Sequence, residues 1–327
     1  MSAVPRPVER PAPDARGPKP ARALDGVLVI DKPPGPTSHD VVARARRALG
    51  MKRIGHTGTL DPAATGVLPL VLGRATRLAR FLAGSAKTYE AVIRLGVATD
   101  TGDTEGRAIG PPWGGLGEDE ARARLAGPGV VAGALAAFAG TSEQAPPLYS
   151  AKKIAGVRAY ELARTGRPVQ PRPVPVTVHR LAVLGFDGDL LRVEVTASAG
   201  FYMRVLADEL GRRLGVGGHL HQLRRTRSGS FGLAEAVALE ALERDPETAR
   251  ERVIPIDELL QELPAAVLTD GSAARTRCGH DVGPADLVAE PETPAAFVRL
   301  LGRDGRLVAV AEPAALPRFL HPTIVLG

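Results

Sequence analysis

Cysteine is nearly absent from the 327-residue chain, and aromatic residues make up only 4% of it. The sole cysteine, Cys278, excludes an internal disulfide, a CxxC redox pair and any multi-cysteine zinc or iron–sulfur site. A single reduced thiol is typical of a reducing compartment, so we expect a cytoplasmic protein.

Long hydrophobic runs are also missing. The longest run of small apolar residues, 129–140, falls short of the roughly 20 residues that span a bilayer. The proline-rich start lacks the apolar core of a signal peptide. We therefore expect neither secretion nor a membrane partner.

The overall composition, 44% hydrophobic and 24% charged, is typical of a globular protein of one large domain or one domain with an appendage. Residues 1–24 hold six prolines and almost no large apolar side chain, which predicts a disordered arm. The net charge is +6, and the excess of basic residues lies in the middle of the chain. Residues 145–180 carry seven Lys/Arg and one acidic residue, whereas the segment from Glu262 is net acidic. This distribution favours nucleic acid as a partner, the alternative being a solvated charged surface.

Hydrophobic periodicity predicts mixed strands and helices without strict βαβ alternation, and hence an α+β fold. Strands are predicted at 26–31, 89–97 and 191–197. A capping box at Thr37 and Asp40 predicts a helix that ends near Leu49. A second helix is predicted from the spacing of Met203, Leu206, Leu210 and Leu214. Further along the chain we expect a helix end and hinge at 255–264 and a small β-rich module from 262 to 327.

Several familiar motifs are incomplete. The segment 83–88 lacks the first glycine of a P-loop, and 215–220 breaks the GxGxxG spacing. His219 and His221 have no further ligands at metal-binding spacing, so no metal site is expected. The acidic segment 99–106 does not match a calcium loop and is interpreted as a capped turn.

The stretch 55–82 is the most informative, because glycines and short polar residues in it are typical of a loop that closely approaches a ligand. Asp61 followed by Pro62 is also the pattern of a helix N-cap, and that interpretation stays open beside a functional one.

Five blocks in this order resemble the bacterial tRNA pseudouridine-55 synthase family, TruB. They are DKPPGPTSHDVV with GHTGTLDPAATGVL, KTYEAVIRLGVATDTGDTEG, QAPPLYSAKKIAGVRAYELAR, SAGFYMRVLADELG and HLHQLRRTRSGSF. The resemblance implies a pseudouridine synthase fold, a mixed and mainly antiparallel sheet, over residues 25–260. It implies a small PUA-like RNA-binding β-barrel at 262–327, where the match is thinner.

The implied reaction is isomerisation of uridine to pseudouridine in the T-loop of tRNA, without cofactor or metal. Asp61 matches the family's nucleophile, Arg204 its ion-pair partner, and Tyr89 the tyrosine that stacks on the base and is a proposed proton acceptor. The matching substrate-binding positions are His56, which occupies the space left by the flipped uridine, and Tyr202, Leu223 and Lys32.

The basic segment resembles the family's RNA-clamping insertion, about 143–175. The residues expected to contact the RNA backbone are Lys152, Lys153, Arg158, Arg224 and Arg225. The T-arm of tRNA is the expected partner, no protein partner is evident, and a monomer is expected. Departures from the family pattern at Ala63, Ala199 and Phe201 remove no catalytic group.

Three alternatives remain at this point: a tRNA-folding chaperone, a guide-RNA-dependent synthase of the same superfamily, and a hydrolase of the glycosidic bond. A hydrolase needs a second carboxylate, which folding could bring to Asp61.

Overall fold

A computed structural model describes residues 24–127, 129–147, 153–154, 157–158, 169 and 171–326. The predicted disordered arm at 1–24 therefore lies almost wholly outside the described residues, as does most of the predicted clamp. The α-helices are α1 Ser38–Leu49, α2 Ala79–Gly84, α3 Glu118–Leu125, α4 Val130–Ala136, α5 Met203–Leu214, α6 Leu239–Arg244, α7 Pro246–Glu251 and α8 Asp270–Arg277.

The strands fall into two main sheets and two short hairpins. They are β1 Gly26–Lys32, β2 Ile54–His56, β3 Thr65–Leu72, β4 Lys87–Leu95, β5 Ala98–Thr99, β6 Ala108–Ile109, β7 Gly140–Gln144, β8 Lys153–Ile154, β9 Val157–Arg158, β10 Val174–Asp187, β11 Leu190–Ala197, β12 Gly218–Ser228, β13 Phe231–Gly232, β14 Val237–Ala238, β15 Ile254–Pro255, β16 Ala265–Leu268, β17 Leu287–Ala289, β18 Val298–Leu301, β19 Leu307–Pro313 and β20 Leu320–Val325.

The larger sheet has 11 strands within the described residues, in the order β14-β1-β3-β12-β4-β11-β10-β7, with β13, β15 and β2 paired at its margins. Only β1 with β14 and β3 with β12 pair in parallel. The remaining pairs are antiparallel, which confirms the predicted mixed, mainly antiparallel sheet. The order also places strands that are distant in sequence side by side at the centre.

Local sequence signals account for the two helices that flank the centre of this sheet. In α1, the Thr37 hydroxyl accepts from the Asp40 amide at 3.1 Å and the Asp40 carboxylate accepts from the Thr37 amide at 2.9 Å, so the predicted capping box is confirmed. In α5, all four predicted apolar residues are buried, against strands β4, β11 and β12. Gly215 then ends α5 in the left-handed conformation.

The C-terminal part forms a five-stranded sheet, β17-β16-β18-β19-β20, with α8 packed on it. This confirms the predicted β-rich module, although helix α8 was not predicted. The predicted helix end at 255–264 is wrong: β15 and a short 3-10 turn, Ile256–Glu258, occupy its start. Val310 and Ile324 pack against Val27 and Val67 of the large sheet, so the two parts share an apolar core.

Helix α5 approaches the large sheet most closely at Gly211. A Cβ atom there would lie 2.2 Å from the backbone nitrogen of Gly218, which begins β12. We expect Gly211→Ala to reduce the free energy of unfolding by about 2–3 kcal/mol, because helix and strand must separate.

Denaturant unfolding measures this effect. The control is Gly133→Ala in α4, where a Cβ atom meets nothing within 4 Å. There the higher helix propensity of alanine should raise the free energy of unfolding by at most about 1 kcal/mol. Equal stability changes in the two variants would contradict the close approach.

Candidate active site

Asp61 lies in the irregular loop that joins β2 to β3. No helix begins at this residue, because Pro62 and Ala63 form a turn, so the N-cap interpretation is wrong. The first turn of α1 holds the loop instead: the Ser38 hydroxyl accepts from the Leu60 amide at 2.9 Å and donates to its carbonyl at 3.2 Å. These contacts fix the main chain immediately before the carboxylate.

Lys32, the last residue of β1, supports the same loop through its main chain. It is fully buried, and its ammonium group donates to the carbonyls of Pro33, Pro62 and Ala64 at 3.0, 2.9 and 2.7 Å. Burial lowers the pKa of Lys32 to about 8, the Asp61 carboxylate opposes this shift, and Arg225 adds to it. The buried Lys32 braces the loop, and a contact between it and the substrate stays a prediction.

Arg204, near the start of α5, pairs with Asp61 across the sequence. Its Nε lies 3.0 Å from Asp61 Oδ2, and its Nη2 lies 3.4 Å from Oδ1, so the guanidinium faces both carboxylate oxygens. The arginine side chain is 6% exposed and the aspartate 44%. A buried guanidinium thus orients a carboxylate that remains open to a ligand.

Asp103 is a second carboxylate at this pair, and it was not predicted as a site residue. Its Oδ2 lies 3.7 Å from Arg204 Nε, and the carbonyl of Thr101 accepts from Arg204 Nη1 at 3.4 Å. Its segment, 99–106, forms the predicted capped turn: Asp103 Oδ1 accepts from the Thr101 hydroxyl and the Glu105 amide. The acidic turn was the available sequence signal, but local spacing gives no indication of its distance to Asp61.

The ion pair borders a cavity of about 380 Å³. Four of the predicted residues besides Asp61 line it, as do Lys87 and Arg225, the latter being a fifth predicted residue: the other four are Tyr89, Tyr202, Arg204 and Leu223. The buried side chain of Gln144, also not predicted, holds the Tyr202 main chain by accepting from its amide at 2.7 Å and donating to its carbonyl at 3.2 Å. The volume lies within the range of small-ligand sites, about 300–1,000 Å³.

His56 does not line this cavity. Its Nδ1 accepts from the Gly58 amide at 3.3 Å, and its ring meets that of His39 edge to face with centroids 5.4 Å apart. The predicted role of His56 beside a flipped base therefore depends on substrate and stays a prediction.

The predicted RNA-backbone residues divide into three groups. Lys152, and the side chains of Lys153 and Arg158, lie outside the described residues. The partly exposed Arg224 pairs with Asp31 at 2.8 Å and lines an adjoining cavity of about 520 Å³. Arg225 is 1% exposed, so the phosphate contact predicted for it is wrong.

Two family models match most of the described chain. The model described as "TruB family pseudouridylate synthase (N terminal domain)" matches residues 46–203, and the one described as "tRNA pseudouridylate synthase B C-terminal domain" matches residues 204–261. Proteins named tRNA pseudouridine synthase B are 45% identical in Aromatoleum aromaticum, over 89% of each chain, and 42% identical in Solibacter usitatus, over 93% of this chain and 100% of that one.

The chain is a member of the TruB family. A solved structure titled "Crystal Structure of a Cbf5-Nop10-Gar1 Complex" is similar with a TM-score of 0.71 and 27% identity, over 93% of this chain and 85% of that one. A second, titled "Structure of H/ACA RNP bound to a substrate RNA containing 2'-deoxyuridine", has a TM-score of 0.69 and 25% identity, over 93% and 86%. The predicted pseudouridine synthase fold is thereby confirmed, and the C-terminal sheet is consistent with a PUA-like domain.

The described residues contain no group of three or more His, Cys, Asp or Glu placed to hold a metal ion. Nor do the helices in the described ranges include one that is long and apolar enough to cross a membrane.

Lys87 makes the free energy of unfolding of this TruB protein depend on pH. Its buried ammonium group donates to the carbonyls of Ala83 and Ser85, and burial together with Arg225 lowers its pKa from 10.5 to about 8. Between these two values the unfolded chain binds more protons than the native one, so the free energy of unfolding rises with pH in this window. We expect the free energy of unfolding of Lys87→Met to lack this rise. Its deficit relative to wild type should grow by about 1–3 kcal/mol between pH 7 and pH 10.

Denaturant unfolding at several pH values measures the difference, with the exposed Lys52→Met as the matched control that follows wild type. A constant offset between Lys87→Met and wild type across the window would contradict the lowered pKa.

Proposed function

We propose that this TruB protein isomerises uridine to pseudouridine at position 55 in the T-loop of tRNA. The observation that carries the proposal is the pairing of a half-exposed Asp61 with a buried Arg204 at a cavity walled by two tyrosines. Curated relatives named tRNA pseudouridine synthase B, 42–48% identical to this chain, support the reaction and its tRNA substrate.

The reaction breaks the bond between ribose C1′ and uracil N1 and rejoins C1′ to C5 of the same base, and the C5 proton then leaves. Asp61 supplies the nucleophile, and attack on the sugar, attack on the base and elimination to a glycal all begin from this carboxylate. Arg204 orients the carboxylate through both of its oxygens.

The target uridine reaches Asp61 only after leaving its stack, which costs a few kcal/mol. Tyr89 stacks on the flipped base, and its hydroxyl is a candidate acceptor for the C5 proton. Leu223 supplies an apolar wall. His56 takes the space that the base leaves. The exposed Arg224, together with the clamp residues Lys152, Lys153 and Arg158, contacts the RNA backbone.

The guide-dependent alternative has less support. The two solved structures whose titles name Cbf5 are 26–27% identical to this chain, whereas tRNA pseudouridine synthase B of Symbiobacterium thermophilum is 48% identical over 81% of it. Hydrolysis of the glycosidic bond and simple tRNA binding give different outcomes from isomerisation, so one experiment separates the stand-alone synthase from the other candidates.

We expect Asp61→Asn to lower the rate of tritium release from a tRNA transcript labelled at uridine C5 by at least about 1,000-fold, because the amide is not a nucleophile. Binding of tRNA should stay within about twofold, since the substitution is isosteric. Mapping the product should place pseudouridine at position 55 in wild type.

The matched control is Asp100→Asn, an exposed residue whose carboxylate accepts from the Arg107 amide. It should react like wild type. An abasic product would favour the hydrolase. Tight binding by wild type without tritium release would overturn the proposal of a stand-alone enzyme and favour the chaperone or the guide-dependent synthase.

Asp103 should affect the same rate through Arg204. In Asp103→Asn the guanidinium loses one of its two carboxylates and is held less firmly against Asp61. We expect single-turnover pseudouridine formation at saturating tRNA to slow by about tenfold, a loss that corresponds to one charge-assisted contact. The dissociation constant for tRNA should not change. Asp100→Asn is again the control, and an unchanged rate in Asp103→Asn would show that Arg204 needs no second carboxylate.

A further inference from the structure

Arg225 is the largest fully buried side chain in the described part of the protein, and it is 1% exposed. No carboxylate lies within ion-pair distance of it among the residues that the structure describes. Its guanidinium instead donates to two backbone carbonyls, through Nε to Val67 at 2.7 Å and through Nη2 to Gly58 at 3.2 Å. A buried charge without a carboxylate partner among the described residues is costly, which calls for a reason beyond stability.

The position of Arg225 in the sheet supplies that reason. On β12 it pairs with Gly66 of β3 on one side and with Tyr89 of β4 on the other. Gly66 brings β3 so close that a Cβ atom there would lie 2.2 Å from the Arg225 carbonyl oxygen. The Gly58 carbonyl belongs to the loop that carries Asp61. One side chain therefore contacts the Asp61 loop from a residue whose backbone pairs with Tyr89.

The side chains that line the cavity are consistent with this role. Arg225, Tyr89 and Lys87 all line the cavity that Asp61 borders. Burial lowers the pKa of Arg225, and a hydrogen bond with the Tyr89 side chain opposes this shift.

We propose that Arg225 is a positioning residue for the isomerisation: it fixes the Asp61 loop and the Tyr89 side chain relative to each other around one cavity. The proposal rests on the proposed function, because Asp61 and Tyr89 are assigned their roles there. It differs from a phosphate contact, which would set affinity for RNA and leave the rate at saturation unchanged.

The matched pair Arg225→Gln and Arg224→Gln separates these two roles, since the residues are adjacent and only Arg224 is partly exposed. At saturating tRNA we expect Arg225→Gln to slow single-turnover pseudouridine formation by at least about tenfold, as a misplaced catalytic group does. Its dissociation constant should stay within about twofold of wild type, and the dependence of log K on log salt should be unchanged.

A phosphate contact would instead lower the magnitude of that salt slope by about 0.7–0.9 and weaken binding. We expect this pattern for Arg224→Gln. The same pattern in Arg225→Gln, with a wild-type rate at saturation, would overturn the proposal. If wild type itself forms no pseudouridine, the proposed function fails, which is a different result from a normal rate in the Arg225 variants.

The link to Tyr89 has its own test in a double-mutant cycle. Arg225→Lys keeps the buried charge, and Tyr89→Phe removes only the hydroxyl. We expect the fold-loss in rate caused by Arg225→Lys to be at least about threefold smaller in the Tyr89→Phe background than in wild type, because the two side chains act together. Equal losses in both backgrounds would overturn the link.

A measurement that leaves Arg225 in place covers the case in which its variants do not fold. The Nε–H of Arg225 should exchange slowly with solvent in nitrogen-15 spectra of the full chain, and its resonance should shift in Tyr89→Phe. Fast exchange, or a resonance unchanged in Tyr89→Phe, would overturn the proposal without any change at Arg225.

Discussion

The chemistry at this site depends on fixing one carboxylate in a loop without regular structure. Asp61 meets this requirement through the Arg204 guanidinium, which lies against both of its oxygens and is itself almost wholly buried. The loop then has to be held by its main chain, because it makes no strand pairing of its own. Ser38, Lys32 and Arg225 supply that support through the backbone of Leu60, the carbonyls of Pro62 and Ala64, and the carbonyl of Gly58. Strand order makes these contacts possible, because β1, β3, β12 and β4 are adjacent at the centre of the sheet.

Much of the local structure could be predicted from the sequence, since the signals are short-range. The capping box of α1 and the apolar spacing of α5 follow directly from hydrogen-bonding groups and periodicity within one helix. Helix α8 could not be found in this way, because it has little apolar character on either face. The Asp61-Pro62 pair was ambiguous for a similar reason: the same two residues begin a helix in one context and form a turn in another.

The site itself could be predicted only through the family resemblance, because its contacts join distant residues. The Asp61 and Arg204 pair spans 143 positions, and no periodicity encodes such a distance. The wrong assignment of Arg225 has a different cause. Both Arg224 and Arg225 were predicted to contact the RNA backbone, although neighbouring residues of a strand point to opposite faces. That alternation predicts that only one of Arg224 and Arg225 can face solvent.

The buried cations also bear on how affinity and catalysis are divided in this TruB protein. Lys32, Lys87 and Arg225 are held by backbone carbonyls, which orient their charges but do not neutralise them. Lys87 and Arg225 line the cavity and therefore place positive charge at its wall. Positive charge at this wall attracts a polyanion towards the cavity. Contacts with the RNA backbone then belong to exposed residues such as Arg224. Substitutions of the buried cations should consequently change the rate at saturating tRNA. Substitutions of basic residues at the surface should instead change the affinity for RNA and its dependence on salt.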